Sequence, residues 1–94
     1  MTTTVTYHGH RAKVLDHVHG RELKPGHVFR AGDELAVVTK TRPGYRVDPY
    51  TLDDFDVIEI EASTYGRRDH RFFAVTPAAL VPIYAVLEEG RVRL

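Results

Sequence analysis

The chain has 94 residues, of which 43% are hydrophobic and 28% charged, with 13 basic residues, 13 acidic residues and no cysteine. This length predicts one domain spanning residues 1–94, and the lack of cysteine excludes disulfides, a thiolate nucleophile and a cysteine-based zinc site. The zero formal charge disfavours non-specific binding to nucleic acids or membranes, which depends on long-range positive potential.

The sequence contains no apolar stretch of the roughly 20 residues that a membrane-spanning helix needs. The first residues do not resemble a signal peptide either. We therefore expect a cytoplasmic protein that does not bind membranes.

The N-terminal segment predicts a β-hairpin around His8 and Gly9, because the residues on either side alternate between apolar and polar. The pairs that a two-residue loop imposes are Tyr7 with His10, Val5 with Ala12 and Thr3 with Val14. Every second residue between these pairs is polar, so one face of the hairpin is predicted to be buried and the other solvated.

Two shorter strands are predicted next, one around His27 to Arg30 and one from Glu34 to Lys40, with a turn around Gly32 between them. The following segment, from Thr41 to Asp56, has two prolines and a cluster of aspartates. This composition predicts a long loop. Loops of this length within a small domain are uncommon and often functional.

A second hairpin is predicted over residues 57–75, with Gly66 and Arg67 as the central residues of a type II′ turn. This register pairs Ile58 with Val75 and Ile60 with Phe73 on the apolar face. The residues assigned to the opposite face are Glu59, Glu61, His70 and Phe72. We therefore expect Phe73 in the core and Phe72 on the opposite face, where it is either exposed as a contact surface or covered by a loop such as Thr41 to Asp56.

The C-terminal segment begins with Thr76-Pro77, an arrangement typical of a helix start, and we expect one short helical turn from Thr76 to Leu80. A third hairpin around Glu89 and Gly90 follows. Its predicted pairs are Leu87 with Val92, Ala85 with Leu94 and Glu88 with Arg91. Together these elements predict an all-β protein, either a small SH3-like barrel or a compact sandwich of about six or seven short strands.

Six histidines raise the hypothesis of a metal site. The best combination is His17, His19 and His27, because the loop between residues 20 and 26 could fold back and bring the third near the second. The alternative interpretation is that these are surface histidines around a loop. In that case we expect no cofactor.

The sequence gives little support for a catalytic function. Ser63 is the only serine, and the predicted register places it opposite His70, without an evident oxyanion site. The acidic cluster has no metal-loop spacing, and its members are Asp48, Asp53, Asp54, Asp56, Glu59 and Glu61. We therefore expect a protein that is not an enzyme.

The segment from Tyr65 to Phe72 combines arginines and aromatic residues, the residue types that dominate protein interaction surfaces. The predicted partner-binding residues are Tyr65, Arg67, Arg68, Arg71 and Phe72, with Tyr45 and Tyr50 of the long loop as a second half of the surface. The leading hypothesis is a non-enzymatic module that binds a protein partner or a second copy of itself. The first alternative is binding of single-stranded nucleic acid through the same residues, and the second is the histidine-based metal site.

Overall fold

In a computed structural model, which describes residues 4–7, 10–88 and 91–93, eight strands form two four-stranded antiparallel sheets. The strands are β1 (Thr4–Tyr7), β2 (His10–His19), β3 (Val28–Ala31), β4 (Glu34–Val47), β5 (Asp54–Thr64), β6 (Arg71–Val75), β7 (Leu80–Glu88) and β8 (Arg91–Arg93). The first sheet has the order β1-β2-β7-β8 and the second the order β3-β4-β5-β6. The all-β prediction is confirmed.

The core lies where the two sheets approach each other, with β3 against β7. One group of buried side chains comprises Leu23, Phe29, Ala36, Val38, Ile60, Ala62 and Ile83. A second comprises Ala12, Val28, Leu35, Tyr84 and Val86. Both groups draw residues from the two sheets, so burial of apolar surface holds the sheets together.

The predicted registers of the first and third hairpins are confirmed wherever the structure describes them. Tyr7 pairs with His10 and Val5 with Ala12. The confirmed pairs of the third hairpin are Leu87 with Val92 and Glu88 with Arg91. The turn residues of both hairpins, the pairing of Thr3 and the pairing of Leu94 lie outside the described residues.

The second hairpin has the predicted strand register but a different turn. Ile58 pairs with Val75 and Ile60 with Phe73, as predicted. The turn is closed by the Arg67 N–H, which donates to the Thr64 carbonyl at 2.9 Å. Gly66 is therefore the third residue of the turn rather than the second. Its φ of +80° is typical of that position in a type II turn, so the type II′ prediction was wrong.

The helical turn predicted from Thr76 to Leu80 was also wrong. The Ala79 N–H donates to the Thr76 carbonyl at 3.1 Å, which closes a single turn, and Leu80 already belongs to β7. A short 3-10 turn occurs instead at Gly20–Glu22. The Gly20 and Arg21 N–H groups donate to the Ala79 and Pro77 carbonyls at 2.8 and 3.1 Å, so the 3-10 turn supplies hydrogen-bond donors to the loop before β7.

The segment from Thr41 to Asp56, predicted as a loop, is largely strand. β4 runs on to Val47 and β5 begins at Asp54, and only the residues between them form a turn. Cross-strand hydrogen bonding satisfies the backbone of this segment and outweighs the turn-forming tendency of its aspartates, glycine and prolines. We call residues 42–59 the arm. Among the described residues, β4 pairs only with β5 along the arm.

Candidate functional site

The arm has two chemically different faces, because cross-strand partners in an antiparallel pair point to the same side. The inner face leaves the core at Ile58, beyond which its residues are exposed, and its pairs are Pro43 with Ile58, Tyr45 with Asp56 and Val47 with Asp54. The outer face starts where the arm joins the rest of the sheet. Its pairs are Lys40 with Glu61, Arg42 with Glu59, Gly44 with Val57 and Arg46 with Phe55. The inner face near the turn therefore carries carboxylates, and the outer face carries the cations.

Glu59 organises the outer face. Its carboxylate binds Arg42 Nε at 2.6 Å and Arg46 Nη1 at 3.0 Å, and these two hydrogen bonds lower the pKa of Glu59 below its usual value. Gly44 leaves room for this arrangement, since a Cβ atom there would lie 2.9 Å from Glu59 Cδ. Two guanidinium groups are thus fixed on one carboxylate, which leaves an excess of positive charge.

A groove with a volume of about 240 Å³ lies on the outer face, where the arm joins the body. Its polar and aromatic lining comprises Lys40, Arg42, Arg46, Glu59, Glu61 and Phe72. Three cations against two carboxylates give the groove a formal charge of +1. Among the described residues, Lys40 has no ion-pair partner. The Phe72 side chain is 74% exposed and forms an apolar wall.

The turn at the end of the arm, residues 48–53, is closed by the Asp48 carboxylate. Its Oδ1 accepts the N–H groups of Tyr50 and Thr51 at 2.8 and 3.1 Å, and these hydrogen bonds lower the pKa of Asp48. Leu52 has a φ of +62°, in the left-handed region that a leucine seldom occupies. The turn is therefore a defined structure that holds Tyr50 and Leu52 out into solvent.

The end of the arm is both acidic and apolar. Its carboxylates are Asp48, Asp53, Asp54 and Asp56, and no basic residue occurs between Arg46 and Arg67 in the sequence. The large exposed apolar side chains around them are Tyr45, Val47, Tyr50, Leu52 and Phe55. Tyr50 is 94% exposed. We call residues 47–56 the arm tip.

The two segments predicted to form one binding surface lie at opposite ends of the second sheet. Thr64, next to the turn that holds Arg67 and Arg68, is ten residues along β5 from Asp54 at the arm tip, a distance of roughly 33 Å. Tyr45 and Tyr50 therefore do not share a surface with that turn. Of the residues predicted around it, only Phe72 projects onto the outer face near the base of the arm.

The other predicted partner-binding residues near the turn mostly contact the protein itself. Tyr65 packs edge-on against His10, with ring centroids 4.8 Å apart, and also packs against the core. Arg71 lies over the Phe73 ring at 5.2 Å. Arg67 Nη1 lies 3.7 Å from a Glu34 carboxylate oxygen. Arg68 is exposed.

The candidate histidines do not converge. His19 Nδ1 contacts Glu22 Oε1 at 2.9 Å, and His27 Nδ1 accepts the Lys24 N–H at 3.3 Å. Burial is the main cause that lowers the pKa of His27, and His17 lies exposed on β2. In the described part of the chain, no three His, Asp or Glu side chains are grouped so that they could hold a metal ion.

The serine and histidine that the sequence placed together also have separate partners. Ser63 Oγ donates to the Asp69 carbonyl at 2.7 Å, whereas His70 Nδ1 lies 3.2 Å from Glu61 Oε1. Ser63, near the end of β5, thus holds the connection between β5 and β6. This pair does not form a nucleophile and base.

Sequence reasoning missed the grouping of Lys40, Arg42 and Arg46 on one face. The signal was present, because these cations alternate with Thr41, Pro43, Tyr45 and Val47 at strand spacing. The two prolines and the aspartates of the segment concealed it by favouring a loop.

Within the residues that the structure describes, no helix has the length and apolar character needed to cross a membrane. Comparisons of the chain with protein-family models, curated proteins and solved structures gave no significant match.

Proposed function

We propose that this protein is a non-enzymatic interaction module that binds a protein partner through the tip of its arm. The observation that carries the proposal is the group of large apolar side chains exposed there, with Tyr50 and Leu52 at the extreme end. Contiguous exposed apolar surface is uncommon in small soluble proteins and often marks an interaction site. Tyrosine in addition offers a large contact area with few rotatable bonds.

The carboxylates of the arm tip define the chemistry of this partner. Four aspartates within residues 48–56 create a negative potential that favours a surface bearing lysine or arginine and repels nucleic-acid phosphates. Pro43 lacks an N–H on β4, which weakens strand addition along that edge.

The proposal retains two further predictions, an SH3-like barrel as the detailed fold and a cytoplasmic location. Small antiparallel β domains of the SH3 type bind protein segments through exposed aromatic residues. An arm that carries aromatic residues beyond the sheet body would enlarge such a binding surface.

The test compares two variants that remove exposed side chains at opposite ends of the second sheet. Wild type, Tyr50→Ser/Leu52→Ser and Arg67→Ala/Arg68→Ala are immobilised as baits in an extract of the source cells, and bound proteins are quantified by mass spectrometry. Each candidate, including the chain itself, is then purified and titrated against all three. Binding that is lost only with the arm-tip variant supports the proposal. Undiminished binding of every purified partner to that variant would overturn it.

The groove on the outer face favours a second candidate, binding of single-stranded nucleic acid. Phe72 offers a ring on which a base could stack, and Lys40 and Arg42 offer charges for phosphates. A titration with a mixed single-stranded oligonucleotide pool at about 50 and 200 mM salt tests it, because phosphate contacts lose affinity steeply as salt rises. Salt-dependent binding that Lys40→Ala/Arg42→Ala weakens would support this function, and no binding at either salt concentration would exclude it.

A further inference from the structure

The arm tip and the groove have opposite charges on the same molecule. The arm tip carries four aspartates and no basic residue, whereas the groove has a formal charge of +1 and contains Lys40, which has no ion-pair partner among the described residues. The whole chain has zero formal charge, so two copies do not repel each other at long range. The protein thus contains both halves of a complementary pair.

The volume of the groove suits a side chain better than a free small molecule. At about 240 Å³ it is smaller than the roughly 300–1,000 Å³ typical of ligand pockets. The exposed Phe72 ring on its wall would pack against an aromatic residue. Tyr50 and Phe55 are the exposed aromatic side chains nearest the end of the arm, and both adjoin aspartates.

The positions of the two features allow a closed two-fold arrangement. Lys40, at the body end of the groove, lies seven residues before Val47 at the start of the arm tip, roughly 23 Å along β4, whereas Arg46 at the other end of the groove adjoins the tip. Two arms laid antiparallel would each place their tip beside the groove of the other. A two-fold axis makes the same contact twice, so both arm tips and both grooves of the dimer are occupied.

The charge pattern selects the face on which the arms meet. Contact between inner faces would place Asp54 and Asp56 of one copy against the base of the other arm, where the inner-face pairs Thr41–Ile60 and Pro43–Ile58 offer no cation, and burying a carboxylate without a partner is costly. Contact between outer faces instead brings Phe55 of the arm tip towards Phe72 on the wall of the groove. The outer face is therefore the self-complementary one.

We infer that the partner of the arm is a second copy of this chain, with the two arms antiparallel and outer face to outer face, so that each acidic tip occupies the groove of the other copy. The inference rests on the proposed function and specifies its partner. Asp53 at the arm tip and Lys40 in the groove are the charges placed in contact across the dimer.

The test is a charge exchange measured by sedimentation equilibrium over a wide range of protein concentrations. Wild type is expected to dimerise, and Lys40→Glu and Asp53→Lys are each expected to weaken dimerisation by at least about tenfold, because each places like charges in contact. An equimolar mixture of the two variants is expected to restore the dimer. In that mixed dimer, the carboxylate introduced at position 40 of one chain meets the ammonium group introduced at position 53 of the other, while the second contact keeps its native charges. Arg68→Glu, at the far end of the sheet, is the matched control and is expected to dimerise like wild type.

Circular dichroism and thermal unfolding of each variant establish that the fold is retained. A wild-type chain that stays monomeric would overturn the inference. The proposed function would then still be decided by the bait experiment with Tyr50→Ser/Leu52→Ser. A wild-type dimer whose affinity is unchanged by both charge reversals, or a mixture that does not re-form the dimer, would place the interface elsewhere and overturn it as well.

Discussion

The carboxylate of Asp69 accepts two hydrogen bonds from Thr64, one from its N–H at 2.6 Å and one from its hydroxyl at 2.7 Å. These bonds join the end of β5 to the residues that lead into β6. They also lower the pKa of Asp69, with the Thr64 side-chain bond as the largest cause. Thr64 is buried, so water cannot readily replace the lost partner if either residue is changed.

The first prediction concerns the Thr64 hydroxyl. Thr64→Val keeps the shape of the side chain but removes the donor to Asp69, and we expect the free energy of unfolding to fall by about 1 kcal/mol. Urea unfolding at neutral pH measures this change. Thr39→Val is the control, because the Thr39 hydroxyl donates to the Glu61 carbonyl at an exposed position where water can take its place. An equal loss in both variants would contradict the role given to Asp69.

The second prediction concerns the pH dependence of stability. Because the pKa of Asp69 is lowered in the folded protein, its ionised form contributes stability above the ordinary value of 3.8. This contribution is lost as the pH falls through the lower, folded-state pKa. We therefore expect Asp69→Asn to be less stable than wild type at pH 7. The difference should shrink as the pH falls below 3.8.

Urea unfolding of both proteins from pH 7 down into the acid range gives this difference directly. A gap between wild type and Asp69→Asn that stays constant with pH would show that the loss comes from packing and not from the charge of Asp69.

The third prediction uses two neighbouring phenylalanines on β6. The ring of Phe73 meets that of Phe29 edge-on, with centroids 5.2 Å apart, whereas the side chain of Phe72 is 74% exposed. Phe73→Ala should lower the free energy of unfolding by about 3 kcal/mol, because it removes an aromatic side chain packed against the core. Phe72→Ala should change it by less than about 0.5 kcal/mol.

Thermal and urea unfolding distinguish these two variants, and sedimentation equilibrium adds a second measurement. Because Phe72 forms a wall of the groove, Phe72→Ala should weaken self-association while the fold stays intact. A large fall in melting temperature on this substitution would instead place Phe72 in the core.

The fourth prediction concerns the contact between the 3-10 turn and the loop before β7. A Cβ atom on Gly20 would lie within van der Waals overlap of the Thr76 carbonyl oxygen and 3.0 Å from Val75 Cγ1. Gly20→Ala must therefore move backbone, and we expect a loss of about 1–3 kcal/mol in the free energy of unfolding.

Gly32→Ala provides the comparison for Gly20→Ala. Nothing lies within 4 Å of a Cβ atom at Gly32, but its φ of +68° makes alanine strained by about 1 kcal/mol. Urea unfolding of the two variants separates steric overlap from backbone strain. Gly20→Ala with wild-type stability would show that the two turns can move apart without cost.

The amino-acid sequence alone determined the registers of the hairpins. Ile58 with Val75 and Ile60 with Phe73 follow from alternation of apolar and polar residues around a short connection. Shifting such a register by one residue would turn every apolar side chain to the solvent, so the pattern allows one pairing. The same alternation placed Phe73 towards the core and Phe72 on the opposite face, and the tertiary structure decided that no loop covers Phe72 there.

Only the tertiary structure decided the character of the arm. The composition of the segment from Thr41 to Asp56 favours turns, and its strands form because each supplies the hydrogen-bond partners of the other. The bulge between Val38 and Lys40 then changes which residues share a face: simple alternation would place Lys40 with Val38 on the inner side, but the extra residue Thr39 turns Lys40 to the outer side, opposite Glu61. The cationic groove therefore depends on a register shift fixed by the pairing of Lys40 with Glu61 on β5, and the residues around Lys40 do not by themselves specify such a shift.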